Sequence, residues 1–224
     1  MRGRTQCQDL VITEGEDLRV APLRVRGVDA VLEFEINRTE LARRGPENHG
    51  VASLDTYNVL KEIPIGAAQP ETAFSSYEWR LLRRARWAVS FEIASNGGAT
   101  VTRHARPPIS VKRANIFGSS WMAALKRASR FAPYCERRIV LPRIPDDEMH
   151  LALEASYLGV GVAVQTGAGG QAGSLEDIVP AAPFLAMKLT GAAWKFAETV
   201  YDQSHLGMTV VPPRRSPSGP APRV

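Results

Sequence analysis

Cysteine is nearly absent: the 224-residue chain has two, Cys7 and Cys135, far apart and in no CxxC pair. Two such residues make neither a disulfide framework nor a thiolate metal cage, and they read as buried or half-buried thiols. Long apolar runs are missing too. Nothing approaches the roughly 20 residues that span a bilayer, and the opening MRGRTQCQDL puts no apolar stretch behind its basic residues, as a secretory signal would. The expectation is a cytoplasmic protein with no membrane partner. The four histidines, His49, His104, His150 and His205, have neither HxxxH nor HExxH spacing, so a histidine metal site is not expected. There is no GxSxG elbow, no GxxxxGK[ST] loop and no zinc-finger spacing. GAGGQA at 167–172 matches GxGxxA, but Pro180 and Pro183 deny it the long helix whose N-terminus would meet a pyrophosphate, so a surface loop is expected.

Acidic residues are scarce in one part of the chain only. Residues 71–143 hold 14 Lys/Arg against 4 Asp/Glu, a net of +10. Residues 1–70 hold 9 against 11, a net of −2, and residues 144–224 hold 5 against 8, a net of −3. Charge segregated in this way is the footprint left by a polyanion partner, and a solvated basic face is the bland alternative.

Hydrophobic patterning gives the elements. Residues 8–38 read as short strands, DLVITEG, LRVAPLRVRG and DAVLEFEIN. In the last, Leu32, Phe34 and Ile36 alternate with Val31, Glu33 and Glu35, as in a half-buried strand. RTELARRG gives a turn or two of helix stopped by Gly45-Pro46, and LDTYNVLKEI a short helix ended by Pro64. A loose boundary falls near Gln69-Pro70. Ser75 and Ser76 then cap a helix with Glu78 in its first turn. Trp79, Leu82 and Arg86 fall at helical spacing on one side of it, and Arg80, Arg83 and Arg84 on the other. WAVSFEIAS, ATVTRHA and ISVKR follow as strands, with a tight turn at Asn96-Gly97-Gly98. Ser119 or Ser120 caps the next helix, whose apolar stripe is Trp121, Leu125, Ala128 and Ala132 and whose basic side is Lys126, Arg127 and Arg130. RRIVLP is a strand with Arg137 and Arg138 at its entrance. DEMHLALEASYL is a helix closed by Gly159, and VGVAVQTG is a strand buried on both faces. The chain then loosens through SLEDIVPAAPF, resumes as a helix from about Phe184 to Tyr201, and ends in a Pro/Ser/Arg-rich tail expected to be disordered.

The order helix, three strands, helix, strand, helix, strand over residues 76–164, with ISVKR on the third strand and ALKRASRF on the helix after it, resembles the core of the PD-(D/E)XK, or restriction-endonuclease-like, nuclease superfamily. The resemblance covers about 90 residues. It implies an α/β fold, a central mixed sheet flanked by helices over residues 71–205, preceded by a β-rich extension over 1–70 and followed by a tail over 206–224. It implies that Lys112 is the motif lysine, with Ser110 where the motif carboxylate stands. Lys126 and Arg130 fall near the polar positions of the following helix, Glu78 matches the first-helix acid, and His104 is the nearest polar residue to the missing second-strand acid.

A magnesium-dependent phosphodiesterase needs hard oxygen ligands, usually two carboxylates, to hold the ion on the scissile phosphate. With Ser110 in place of one and the other lacking, the expected function is nucleic-acid binding, of DNA first, by Arg80, Arg83, Arg84, Lys126, Arg127, Arg130, Arg137 and Arg138. Two alternatives stay open. One is a working endonuclease in which Lys112 acts with a displaced carboxylate, Glu92 or Glu78, these two also holding Mg²⁺, or in which Asp29, Glu33 and Glu35 form the acidic cluster. The other is an interaction module for an acidic protein. A homodimer or a protein partner is open in each case.

Overall fold

The computed structural model describes residues 18–44, 52–93, 97–166, 174–185 and 188–207. Cys7, the strand expected at DLVITEG, Gly45-Pro46, His49, Asn96, the 167–172 loop and the tail from 208 lie outside these residues, as does the His205 side chain.

Two strands open the described chain, β1 (Leu18–Val25) and β2 (Val28–Ile36). Arg26 and Gly27 join them in a two-residue turn with φ of 55° and 72°. Positive φ at both central residues gives the turn the twist of its flanking strands. Helices α1 (Arg38–Arg44) and α2 (Leu54–Glu62) follow, then β3 (Ala68–Pro70) and α3 (Ser76–Arg84). α3 starts on a full capping box. Ser75 Oγ accepts from the Glu78 N–H at 3.3 Å, while Glu78 Oε2 accepts from the Ser75 N–H at 2.8 Å. Then come β4 (Val89–Ile93), β5 (Ala99–Arg103), β6 (Ile109–Phe117), α4 (Trp121–Ala128), β7 (Glu136–Leu141), α5 (Glu148–Leu158), β8 (Gly161–Thr166), β9 (Ser174–Val179) and α6 (Gly191–Gly207).

The fold is mixed α/β. A six-stranded mixed sheet runs in the order β1-β2-β6-β7-β8-β9, and a three-stranded sheet in the order β3-β5-β4. In the large sheet β6, β7 and β8 are parallel, and the other neighbours are antiparallel. The β6-α4-β7 and β7-α5-β8 connections are crossovers between adjacent parallel strands. Since such connections are right-handed, α4 and α5 lie on the same face. α6 joins them there: Phe196, Ala197 and Val200 pack in one cluster with Trp121, Leu125, Phe131, Leu151 and the core-facing side chains of the sheet. A second cluster, around Tyr57, Leu60, Trp79, Leu82, Val101 and Trp194, is built by α2, α3, the small sheet and the start of α6. Among the described residues no helix is long and apolar enough to cross a membrane.

Several expectations change. The three strands before α4 do not form one sheet: β4 and β5 pair with β3, while β6 lies between β2 and β7. Gln69 and Pro70 lie within β3, paired to Val101 and Thr100. SLEDIV is an edge strand, β9. Its neighbour β8 is satisfied on both sides only through it. The last helix starts at Gly191, not Phe184, because Thr190 is its cap, with Oγ1 accepting from the Ala193 N–H at 3.0 Å. Ala132 is exposed, since α4 stops at Ala128 and continues only as a 3-10 turn over Ser129–Phe131.

Candidate nucleic-acid interface

β6 places Lys112. Its residues in the main core cluster are Ile109, Val111, Ala114 and Ile116, so the two-residue period breaks once, between 111 and 114. The break is a β-bulge. Glu33 of β2 pairs with Arg113, and the next residue, Phe34, pairs with Val111, which leaves Lys112 unpaired. Lys112 and Arg113 therefore both turn away from the core. On that face Glu35, opposite Ser110, reaches Lys112: its Oε2 lies 2.9 Å from Nζ, and both side chains are half exposed.

Beside this pair β6 has a free flank. Its pairing with β7 begins at Arg113, so residues 109–112 border a cleft of about 1150 Å³. Glu35, Ser110, Lys112, Arg106, Lys188 and Glu136 supply part of its polar lining, and Tyr134 and Phe196 part of its apolar wall. Lys112 thus opens on this cleft, while neither Glu78 nor Glu92 lines it. Glu78 is held at the start of α3 by Ser75, whose backbone N–H and hydroxyl keep its carboxyl below the usual range. Glu92 stands on β4 of the small sheet, opposite Thr100. His104 bonds Ser90 through Nε2 at 2.8 Å. Asp29, Glu33 and Glu35 do not gather. Asp29 meets Arg24 at 3.9 Å at the hairpin end, Glu33 accepts from Asn115 at 2.7 Å, and Glu35 pairs with Lys112.

The donors do not fit Mg²⁺. Lys112 has one carboxylate beside it, already in an ion pair, and Glu136 is held by Arg113 Nε at 2.6 Å. Among the described residues no group of three or more His, Cys, Asp or Glu is placed to hold a metal ion.

The eight basic residues divide. Arg138 is buried, donating to Asn115 Oδ1 at 2.7 Å and to Asp177 at 3.2 Å, with Glu33 at 3.4 Å. Arg137 donates to the Leu158 carbonyl at 2.6 Å, and burial lowers its pKa. Arg127 donates to the carbonyls of Phe117 and Ala123, and Arg130 to that of Arg26. These contacts tie strand, turn and helix ends together. Arg80, Arg83, Arg84 and Lys126 are exposed, and no described carboxylate pairs with them. The three arginines share one face of α3 with Tyr77, whose ring lies 5.8 Å from the Arg80 guanidinium carbon. α3 packs on α2, whereas α4 packs on β6, β7 and α5, so the two basic helices belong to different parts of the fold.

The residues that the sequence did not single out are Glu35 as the partner of Lys112, and Arg106 and Lys188 in the cleft. The signal for the first was the broken alternation in ISVKRANI. The other two come from loops about 80 residues apart. No family model, curated protein or solved structure matches the chain.

Proposed function

We propose that the protein binds nucleic acid without cutting it, through the arginine face of α3. One observation carries this: Arg80, Arg83 and Arg84 project from one helix face into solvent with no described carboxylate to neutralise them. A guanidinium held in this way is available for phosphate, and Tyr77 beside it offers a ring for stacking. The PD-(D/E)XK resemblance supports the same partner, with Lys112 as the residue that corresponds to the family's lysine. Against cleavage stands the donor set, one paired carboxylate where two are needed to hold the ion.

The test is fluorescence anisotropy with a labelled duplex. Three phosphate contacts are expected to give a salt slope near −3 and about a 40-fold loss of affinity between about 50 and 200 mM salt. Replacing Arg80, Arg83 and Arg84 by Gln is expected to abolish that slope. Binding that ignores salt, or that the triple variant retains, sinks the reading. Incubation with plasmid and Mg²⁺ or Mn²⁺ is expected to leave the plasmid intact. Cleavage that Lys112→Ala abolishes restores the nuclease alternative.

A further inference from the structure

The outer face of α5 carries large apolar side chains that a lone surface helix does not need, and α4 beside it adds one. Met149, Leu153 and Tyr157 are 79%, 67% and 88% exposed and recur every fourth residue of α5, opposite the buried Leu151 and Ala155. On α4, Met122 is 64% exposed, and Lys126 follows it one turn later. A three-residue stripe of this kind, with one methionine on the neighbouring helix, marks an interaction surface.

The charges around it are sorted by helix. From Asp146 to Leu158 there are four acids, Asp146, Asp147, Glu148 and Glu154, and no Lys or Arg. From Trp121 to Arg130 there are Lys126, Arg127 and Arg130, and no acid. An acidic apolar helix therefore lies beside a basic apolar helix. A partner helix acidic on both flanks or basic on both would suit only half of this surface, whereas a second copy turned over suits all of it.

We propose that α4 and α5 form a self-complementary face on which two copies of this chain pair. The geometry fixes the arrangement. Trp121 Nε1 donates to Asp147 Oδ1 at 3.1 Å, and its ring meets His150 edge-on at 5.3 Å, so the two helices start level. Both return between parallel strands, so they run in the same direction. A two-fold axis lying parallel to them and midway between them sets α4 of each copy on α5 of the other. Met122 then lies at the level of Met149 of the other copy, and Lys126, one turn on, at the level of Leu153 and Glu154. Two helices of these lengths side by side bury roughly 600 Å² per copy, the lower end of what a specific pair needs. Lys126 serves this contact. The proposal does not draw on α3 or on nucleic acid.

Sedimentation velocity of the full chain without nucleic acid, from about 1 to 200 µM, tests it. The expected result is a shift from monomer to dimer across this range. Leu153→Lys with Tyr157→Lys is expected to move the midpoint at least about tenfold higher, because it removes the apolar centre of the contact and sets like charge against Lys126 of the other copy. Lys126→Glu is expected to weaken pairing about tenfold, and Glu154→Lys added to the same chain to restore it. All four residues are exposed, and an unchanged thermal melt of the monomer confirms the fold of each variant. A monomer at 200 µM, or a dimer indifferent to the Leu153 and Tyr157 changes, overturns the proposal. Failure of the reversed pair to recover overturns the α4-on-α5 arrangement. An effect of the α3 substitutions on nucleic-acid affinity alone leaves this test untouched.

Discussion

Arg44 holds together parts of the chain 154 residues apart. Its guanidinium donates to both Glu198 oxygens, at 2.7 and 2.6 Å, and through Nε to Glu40 at 2.6 Å, all of them buried. Burial works against the ionisation of Glu40, but hydrogen bonds from Arg43 and Arg44 outweigh it and hold its carboxyl below the usual 4.5. For Glu198 burial prevails over Arg44 and pushes the carboxyl up. A depressed folded pKa stabilises the fold above the unfolded value and ceases to do so as the pH falls through the folded one. Glu40→Gln is therefore expected to cost about 3–5 kcal/mol near neutral pH, as breaking a buried pair does. The deficit should shrink as the pH falls from about 5 to about 3. Thermal melts of both proteins across that range check it, and a gap that widens toward acid contradicts it.

At the scale of elements, close approach decides more than propensity does. Gly191 opens α6 directly against α2, where a Cβ would sit 2.9 Å from both the backbone nitrogen and Cγ of Asn58. Backbone cannot yield as a flexible side chain can, so Gly191→Ala is expected to cost about 1–3 kcal/mol despite the higher helix propensity of Ala. Urea unfolding measures the loss. α6 also shows how far the sequence could be read. A last helix carrying Trp194 and Phe196 is legible, but its start at Gly191 rather than Phe184 is marked only by Thr190, a capping residue placed just before a glycine. α3, α4 and α5 were legible because caps at Ser75, Ser120 and Gly159 mark their ends. β9 was not, because an edge strand with Glu176 and Asp177 exposed lacks the apolar alternation that reveals a strand. The site was half legible. Lys112 stood out, but its partner Glu35 lies 77 positions away on β2, and the bulge that turns Lys112 toward it shows only as a one-residue slip in the core period. Arg138 looked like a surface cation, but the strand it enters carries it into a buried ladder with Asn115 and Glu33.

At the scale of the whole molecule, the described residues form two apolar clusters with one helix common to both. Trp194, fully buried, belongs to the second cluster beside Tyr57, at 5.6 Å between rings, while Phe196, Ala197 and Val200 on the same helix belong to the first. Trp194 Nε1 also donates to Glu198 at 3.0 Å, which carries the link on to Arg44 and α1. Unfolding of either cluster strips α6 from the other, so the chain should unfold in a single transition. Two native probes separate the clusters. Three of the four tryptophans, Trp79, Trp87 and Trp194, report on the second. Cys135 reports on the first, where burial pushes its thiol up to about 12, so alkylation at mild pH requires unfolding. In the natural protein, tryptophan fluorescence and mass-spectrometric labelling of Cys135 are expected to give coincident urea transitions. Trp194→Ala leaves a cavity costing about 3–5 kcal/mol, almost all of it in the second cluster. Fluorescence from Trp79 and Trp87 should then change at lower urea than Cys135 labelling. If the two probes still coincide in that variant, α6 does not couple two separable clusters, and the chain has one core in which Trp194 is an ordinary member.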